Sequence, residues 1–192
     1  MDELVDDMLY IINNYRDYLC GKDYLENLNK SFNNIQLKLK CILNEYEIEF
    51  NNIQGKPNKP FIPLLAIRNK IYSKNMTEGV YVAILIKQDK GIYISLNQGT
   101  ENKSKESIEH IRDIYKEKVN NLIISNKIDN NSRLLDEINL CDNLIGNTKR
   151  ARSYEYGNIK AIFYDKITLK NAKEMFLRDL LWTMELYRIS LR

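Results

Sequence analysis

Two apolar stretches that alternate with a period of two, residues 80–87 and 91–97, restrict the fold of this 192-residue chain more than any other feature. A short polar segment, Gln88 to Gly91, joins them, and this arrangement predicts a β-hairpin in which Gly91 supplies the permissive turn backbone. One face of the hairpin is aliphatic, so we expect it to pack on the core. That face comprises Val80, Val82, Ile84, Ile86, Ile92, Ile94 and Leu96.

The opposite face of the hairpin combines aromatic, small and polar side chains, namely Tyr81, Ala83, Leu85, Tyr93, Ser95 and Asn97. Tyr81 and Leu85 are about 13–14 Å apart on an ideal strand, so a third wall is needed to enclose a planar ring. Leu64 is the candidate for that wall. Such a face suits an extruded nucleobase. The alternative, which the pattern alone favours, is a face that simply packs on a helix.

Helical patterns surround the hairpin. An apolar stripe predicts a first helix that ends near Gly21, and Asp23 with Glu26 resembles a capping box that begins a second helix. Further patterns predict a strand over residues 45–50, a helix over 104–124, a strand over 154–164 and a helix over 169–188. The fold class is therefore α+β, with a mixed, mainly antiparallel sheet of about four to six strands flanked by N-terminal, middle and C-terminal helices.

The length suits one buried core, and no repeat or linker divides the chain. We expect a single domain, with a helical N-terminal part over residues 1–44 and a sheet-containing core over 45–192. Cys20, Cys41 and Cys141 lack Cys-x-x-Cys spacing, which favours reduced thiols in a cytoplasmic protein. The sequence shows no signal peptide and no long apolar span, so neither export nor a membrane is expected.

Basic residues cluster in two runs that contain no acidic residue, residues 50–77 and 143–154. They are Lys56, Lys59, Arg68, Lys70 and Lys74 in the first run, and Lys149, Arg150 and Arg152 in the second. The two runs would form one positive surface for a nucleic acid if they meet in space, whereas two ordinary solvated loops are the alternative. All three prolines lie within or next to the first run's loop, so residues 55–60 are expected to form a stiff segment that enters DNA.

The residues of common catalytic sites are missing from the sequence. The single histidine, His110, lies off the apolar side of its helix, and neither a His/Cys metal cluster nor a phosphate-binding loop occurs. Glu101 and Lys103 have a Glu-x-Lys spacing that a magnesium-dependent nuclease would need, and this is kept as an alternative function. We predict no catalytic residue, no metal and no cofactor.

Four segments together resemble the McrB N-terminal domain family (MrcB-like) over most of residues 46–187. They are IPLLAI (62–67), the hairpin (79–100), SYEYGNI (153–159) and the closing helix. The resemblance implies a non-catalytic reader of duplex DNA that flips a modified base, methylated cytosine in the first place, into a pocket. It also implies that the chain is the N-terminal part of a longer protein with an AAA+ GTPase motor, working with a separate nuclease subunit in a restriction system.

The resemblance also implies site residues. Tyr81 matches the pocket tyrosine and Leu85 the apolar residue four positions later, whereas Leu64 stands where tryptophan is common. That departure leaves the preferred modification open, between 5-methylcytosine, a bulkier cytosine modification and methyladenine. The predicted pocket is Tyr81, Ala83, Leu85 and Leu64, and the predicted DNA-binding residues are Lys56, Asn58, Lys59, Lys70, Lys74, Arg150 and Arg152. A protein-interaction module with this face as plain core is the remaining alternative.

Overall fold

The structure is a computed structural model, and it describes residues 2–51, 59–125, 127–142, 146 and 148–192. Within these residues the chain forms six helices and five strands. The helices are α1 (Asp2–Leu19), α2 (Leu25–Ile42), α3 (Lys105–Ile124), α4 (Lys149–Gly157), α5 (Lys166–Asn171) and α6 (Lys173–Ser190). The strands are β1 (Glu47–Phe50), β2 (Leu64–Arg68), β3 (Val80–Lys87), β4 (Gly91–Gln98) and β5 (Lys160–Asp165).

The strands form one sheet in the order β1-β2-β3-β4-β5, and each neighbouring pair is antiparallel. The α+β class is thereby confirmed, with helices from the N-terminal, middle and C-terminal parts of the chain. The predicted helix over residues 104–124 is confirmed as well, by α3. Ser104 caps the start of this helix, because its side chain accepts a hydrogen bond from the Ser107 amide. None of the helices in the described ranges has both the length and the apolar character needed to cross a membrane.

The hairpin turn differs from the prediction. Asp89, with φ of 60°, takes the left-handed conformation, and Gly91 is already part of β4. Gly91 is needed for space instead, because a Cβ there would lie 2.0 Å from the carbonyl oxygen of Tyr164 on the neighbouring strand. Its φ is not among the positive values, so the position requires the small size of glycine and not its conformational freedom.

Three further local predictions are wrong. The capping box at Asp23 is absent, because α2 begins at Leu25 with Tyr24 in the cap position and no side-chain cap bond. The strand predicted over residues 154–164 begins only at Lys160, since the residues before it continue α4. The last helix is divided at Ala172, whose φ of −124° and ψ of 49° are not helical.

The two faces of the sheet carry two separate apolar clusters. The aliphatic face of the hairpin packs with α1, α2 and α6 in the larger one, here called the major cluster. The opposite face forms the minor cluster, which contains Ile62, Leu64, Ala66, Tyr81, Ala83, Leu85, Tyr93, Ile138, Leu140, Ala151, Tyr154 and Ala161. The minor cluster is covered by α4 and by residues 135–141, here called the covering segment, and not by a long helix.

Candidate nucleic-acid interface

A cavity of about 970 Å³, here called the groove, opens beside the minor cluster. Its walls come mainly from residues 59–62 before β2, from residues 100–103 after β4, and from residues 149–154 of α4, with Leu19 and Asn51 completing them. Ile62 and Tyr154 belong both to these walls and to the minor cluster. The groove therefore borders the face on which the sequence predicts a base pocket.

The groove is mainly basic. Lys59, Lys103, Lys149 and Arg150 line it, against one acidic side chain, Glu101. Such an excess of positive charge in a concave site attracts a phosphate backbone. Phe61 and Tyr154 add aromatic surface to the same walls.

Arg150 connects the groove to the minor cluster. Its Nε donates to the Tyr154 hydroxyl at 3.3 Å, and its guanidinium lies 3.9 Å from the Glu101 carboxylate. Burial raises the pKa of Tyr81, the neighbouring Tyr154 raises it further, and the charge of Arg150 opposes both. Arg150 is thus close enough to act electrostatically on Tyr81.

The lip of the groove, residues 100–103, carries two unusual polar groups. Lys103 Nζ donates to the Gly99 carbonyl at 2.6 Å, and burial lowers the pKa of Lys103. Thr100 Oγ1 is buried and has no hydrogen-bond partner within the described ranges. A buried hydroxyl without a partner is costly, which makes it a candidate to bind a ligand.

The N-terminal helix α1 positions the wall of the groove formed by residues 59–62. Lys59 Nζ donates to the Tyr18 carbonyl at 2.7 Å and lies 3.9 Å from the centre of the Tyr18 ring. The Tyr15 hydroxyl donates to the Pro60 carbonyl at 2.6 Å. Since both contacts fix the approach to β2, α1 helps to shape the groove as well as the major cluster.

The covering segment is attached to the minor cluster by hydrogen bonds to a few groups. Leu135 forms a β-bridge with Ala161, and the Asn139 amide lies 3.3 Å from the Tyr93 hydroxyl. The amides of Leu140 and Cys141 both donate to Glu155 Oε1, at 2.6 and 3.0 Å. Glu155 on α4 thereby holds the covering segment over the minor cluster.

The family described as "MrcB-like, N-terminal domain" matches residues 13–190, which is nearly the whole chain.

The chain belongs to this family.

Its members are McrB-like N-terminal domains of restriction systems, and membership implies DNA binding within such a system. Comparison with curated proteins and with solved structures found no match.

The four predicted pocket residues lie together in this member of the family. Leu64 and Leu85 are direct partners across β2 and β3, and Ala83 and Tyr81 follow on the same face of β3. All four are buried, with exposed fractions of 2% or less. They form the floor beneath Tyr154 and the covering segment and are not an open slot, and their role in binding a base stays a prediction.

The predicted DNA-binding residues are only partly brought together. Lys59 and Arg150 line the groove, whereas Arg152 is exposed on α4 outside its walls. Lys70 and Lys74 lie in the loop between β2 and β3. Lys56 and Asn58, with most of the predicted stiff segment, lie outside the described residues.

Glu101 and Lys103 of the alternative nuclease site both lie on the lip of the groove. Among the residues that the structure describes, no group of three or more His, Cys, Asp or Glu side chains is arranged to hold a metal ion. His110 is exposed on α3.

Tyr154 and Glu155 were not predicted as site residues from the sequence, because the segment that contains them resembles a strand. The buried pair Ala151 and Tyr154, three residues apart, is the helical signal that identifies this face of α4.

Proposed function

We propose that this chain reads modified bases in duplex DNA, with the extruded nucleotide in the groove and the base directed toward Tyr81, Leu85 and Leu64. The observation that carries the proposal is the position of the groove, which is basic and partly aromatic and borders the minor cluster at Ile62 and Tyr154. Membership of a family of DNA-binding domains of restriction systems supports it independently.

The size of the groove is compatible with this ligand. Pockets for small ligands measure about 300–1,000 Å³, and the groove lies near the upper end of that range. The volume of the groove is therefore large enough for a base with its sugar and a substituent. Because Tyr81 and Leu85 are covered, the base reaches them only when Tyr154 or the covering segment moves aside.

Binding in this proposal has two separable parts. Basic side chains such as Arg150 bind phosphates irrespective of sequence, and this part weakens with salt. The pocket face supplies the preference for the modified base, and a methyl group accommodated in an apolar pocket gives about ten- to a few-hundred-fold discrimination. The chain itself is proposed to be cytoplasmic, with the motor in the same full-length chain and the nuclease in a separate subunit.

The decisive experiment is fluorescence anisotropy with matched short duplexes that are unmodified or carry 5-methylcytosine, 5-hydroxymethylcytosine or N6-methyladenine, at two salt concentrations. We expect preference for one modification to persist at the higher salt. Equal, salt-sensitive affinity for all four duplexes would refute the reader function and leave a basic surface only.

The pocket assignment is tested by Tyr81→Ala, which we expect to abolish the preference while leaving weak, salt-sensitive binding. Tyr81→Phe is the matched control, because it keeps the ring and is expected to keep the preference. Thermal unfolding of both variants identifies any loss that comes from misfolding. A folded Tyr81→Ala variant with the parent's preference would remove Tyr81 from the pocket.

A further inference from the structure

The loop between β2 and β3, residues 69–79, begins with a turn over residues 69–72, here called the tip, that exposes two adjacent large apolar side chains. Ile71 is 84% exposed, the highest fraction of any large apolar residue in the described part of the chain, and Tyr72 is 49% exposed. Single exposed apolar residues are common and need no explanation. An adjacent pair with Lys70 on one side and Lys74 on the other is a more specific arrangement.

The loop is held in shape by bonds at its base. Arg68, which is buried and paired with Glu49, donates from Nη1 to the Ser73 carbonyl at 2.7 Å. The Ser73 hydroxyl lies 2.7 Å from the carbonyl oxygens of both Asn75 and Glu78. The tip therefore presents Ile71 and Tyr72 on an ordered support, which lowers the entropy lost when they bind a partner.

The same loop adjoins the lip of the groove. The Gly99 amide donates to the Gly79 carbonyl at 2.8 Å, and the Gly99 carbonyl in turn accepts from Lys103. Gly79 needs its positive φ of 73°, and a Cβ there would lie 2.8 Å from the Tyr72 carbonyl oxygen. A molecule bound in the groove would thus have the loop beside it.

The charge of the loop is suited to a polyanion. Lys70 forms a surface ion pair with Glu47 at 2.7 Å. Because both side chains are partly solvated, a phosphate can take the place of the Glu47 carboxylate as the partner of Lys70. Lys74 makes no ion pair with any residue that the structure describes. Glu78 is the one acidic residue of the loop, and its charge partly opposes the lowering of the pKa of Lys103 by burial.

We infer that the loop of residues 69–79 is a second DNA contact, in which Ile71 and Tyr72 enter a groove of the duplex and Lys70 and Lys74 bind the flanking phosphates. Apolar side chains that insert at base steps are a general means of gripping and bending a duplex, and an aromatic ring can stack on a base. The inference rests on the proposed function in that it requires DNA to bind at the neighbouring groove.

The test compares Ile71→Ala/Tyr72→Ala with Ile167→Ala, which removes an isoleucine that is 74% exposed on α5. Anisotropy is measured with one modified and one unmodified duplex. We expect the double variant to bind both duplexes about five- to one-hundred-fold more weakly, with their ratio unchanged, as for the loss of one stacked base. Ile167→Ala and Tyr72→Phe are expected to bind like the parent.

A second measurement locates the loop directly. In Tyr72→Trp, stacking on a base should quench the new tryptophan when DNA is added, whereas the parent, with Trp182 alone, supplies the baseline. Quenching in the variant beyond that baseline is the expected result. An emission change equal to that of the parent would show that the tip does not reach the bases.

The outcomes separate this inference from the proposed function. If the double variant binds DNA like Ile167→Ala, the loop contact is overturned, while a preference of the parent for modified DNA still supports a reader. If the parent shows no preference but the double variant loses affinity, the loop contact stands and the reader function fails. Unchanged DNA binding together with loss of a complex with the motor or nuclease would assign the tip to a protein partner and overturn the inference.

Discussion

Strand β4 contributes to both faces of the sheet, and the two faces differ in the kind of packing they use. Ile92, Ile94 and Leu96 enter the major cluster, which is closed by the long helices α1, α2 and α6. On the other face, Ser95 donates to the Asn158 side chain at 2.7 Å, and Asn97 Nδ2 lies 3.1 Å from both the Ser95 hydroxyl and the Tyr154 carbonyl. Aliphatic packing is non-directional, whereas a buried polar network fixes the orientation of each member.

The difference indicates where the molecule can open. Opening the major cluster would separate whole helices from the sheet, and it would expose most of the apolar core. The minor cluster is covered by a short helix and an irregular segment that depends on a few hydrogen bonds, several of them to Glu155. Regions with few buried apolar contacts are the ones that open locally at low free energy, so the minor face is the one suited to admit a ligand.

The largest effect is expected from Ile94→Ala on the aliphatic face. Ile94 is fully buried, and truncation of such a residue lowers the free energy of unfolding by about 2–5 kcal/mol. Urea denaturation measures this loss. Since the residue faces away from the groove, the ratio of affinities for modified and unmodified duplex should stay that of the parent. If Ile94→Ala changed this affinity ratio as much as Tyr81→Ala does, the assignment of stability to one face and base preference to the other would be wrong.

A smaller loss of stability is expected from Asn97→Ala on the polar side of the same strand. The substitution leaves the Tyr154 carbonyl and the Gln98 amide without their bonds to Asn97, which costs about 1–3 kcal/mol. Because Tyr154 lines the groove, the preference for modified DNA should fall as well. Denaturation and anisotropy are measured on the same variant.

Thr183→Val is the matched control for Asn97→Ala. It removes another buried hydrogen bond, from the Thr183 hydroxyl to the Asp179 carbonyl at 2.7 Å on α6. We expect it to reduce stability without changing the preference. If both variants alter the preference equally, the effect follows general loosening and not the position of the network.

The contrast between the faces was readable from the sequence, but the groove was not. Alternation with period two assigns Ile94 and Ser95 to opposite sides of a strand whatever the partner strands are. The groove, in contrast, joins residues 59–62, 100–103 and 149–154, and no local pattern relates segments so far apart in the chain.

The strand prediction over the second half of α4 was wrong for a related reason. Tyr154 and Tyr156 alternate as strand residues do, while the burial of Ala151 with Tyr154 that makes this segment helical depends on tertiary packing against the minor cluster. The local pattern therefore predicts β3 and β4 correctly but assigns the wrong secondary structure to α4, which covers the minor cluster.

The smallest expected effect concerns the rate at which the Cys141 thiol in the covering segment is alkylated, which can be measured without changing the free energy of unfolding. Its Sγ lies 3.5 Å from Glu155 Oε2, and burial together with the Glu155 charge raises the pKa of the thiol from 9.0 to about 11. A higher pKa leaves less thiolate below it, so near pH 8 Cys141 should react with iodoacetamide about a hundred-fold more slowly than an unshifted thiol. Mass spectrometry of the Cys141 peptide follows the rate separately from Cys20 and Cys41.

This rate also tests whether the covering segment moves when DNA binds. If the base reaches Tyr81 by displacing the segment, saturating modified duplex should accelerate alkylation of Cys141, whereas unmodified duplex should not. Glu155→Gln calibrates the response, since loss of the charge lowers the thiol pKa and should raise the rate without DNA. Acceleration in Glu155→Gln combined with no response of the parent to modified duplex would show that the segment stays closed, and entry of the base would then have to occur by movement of Tyr154 alone.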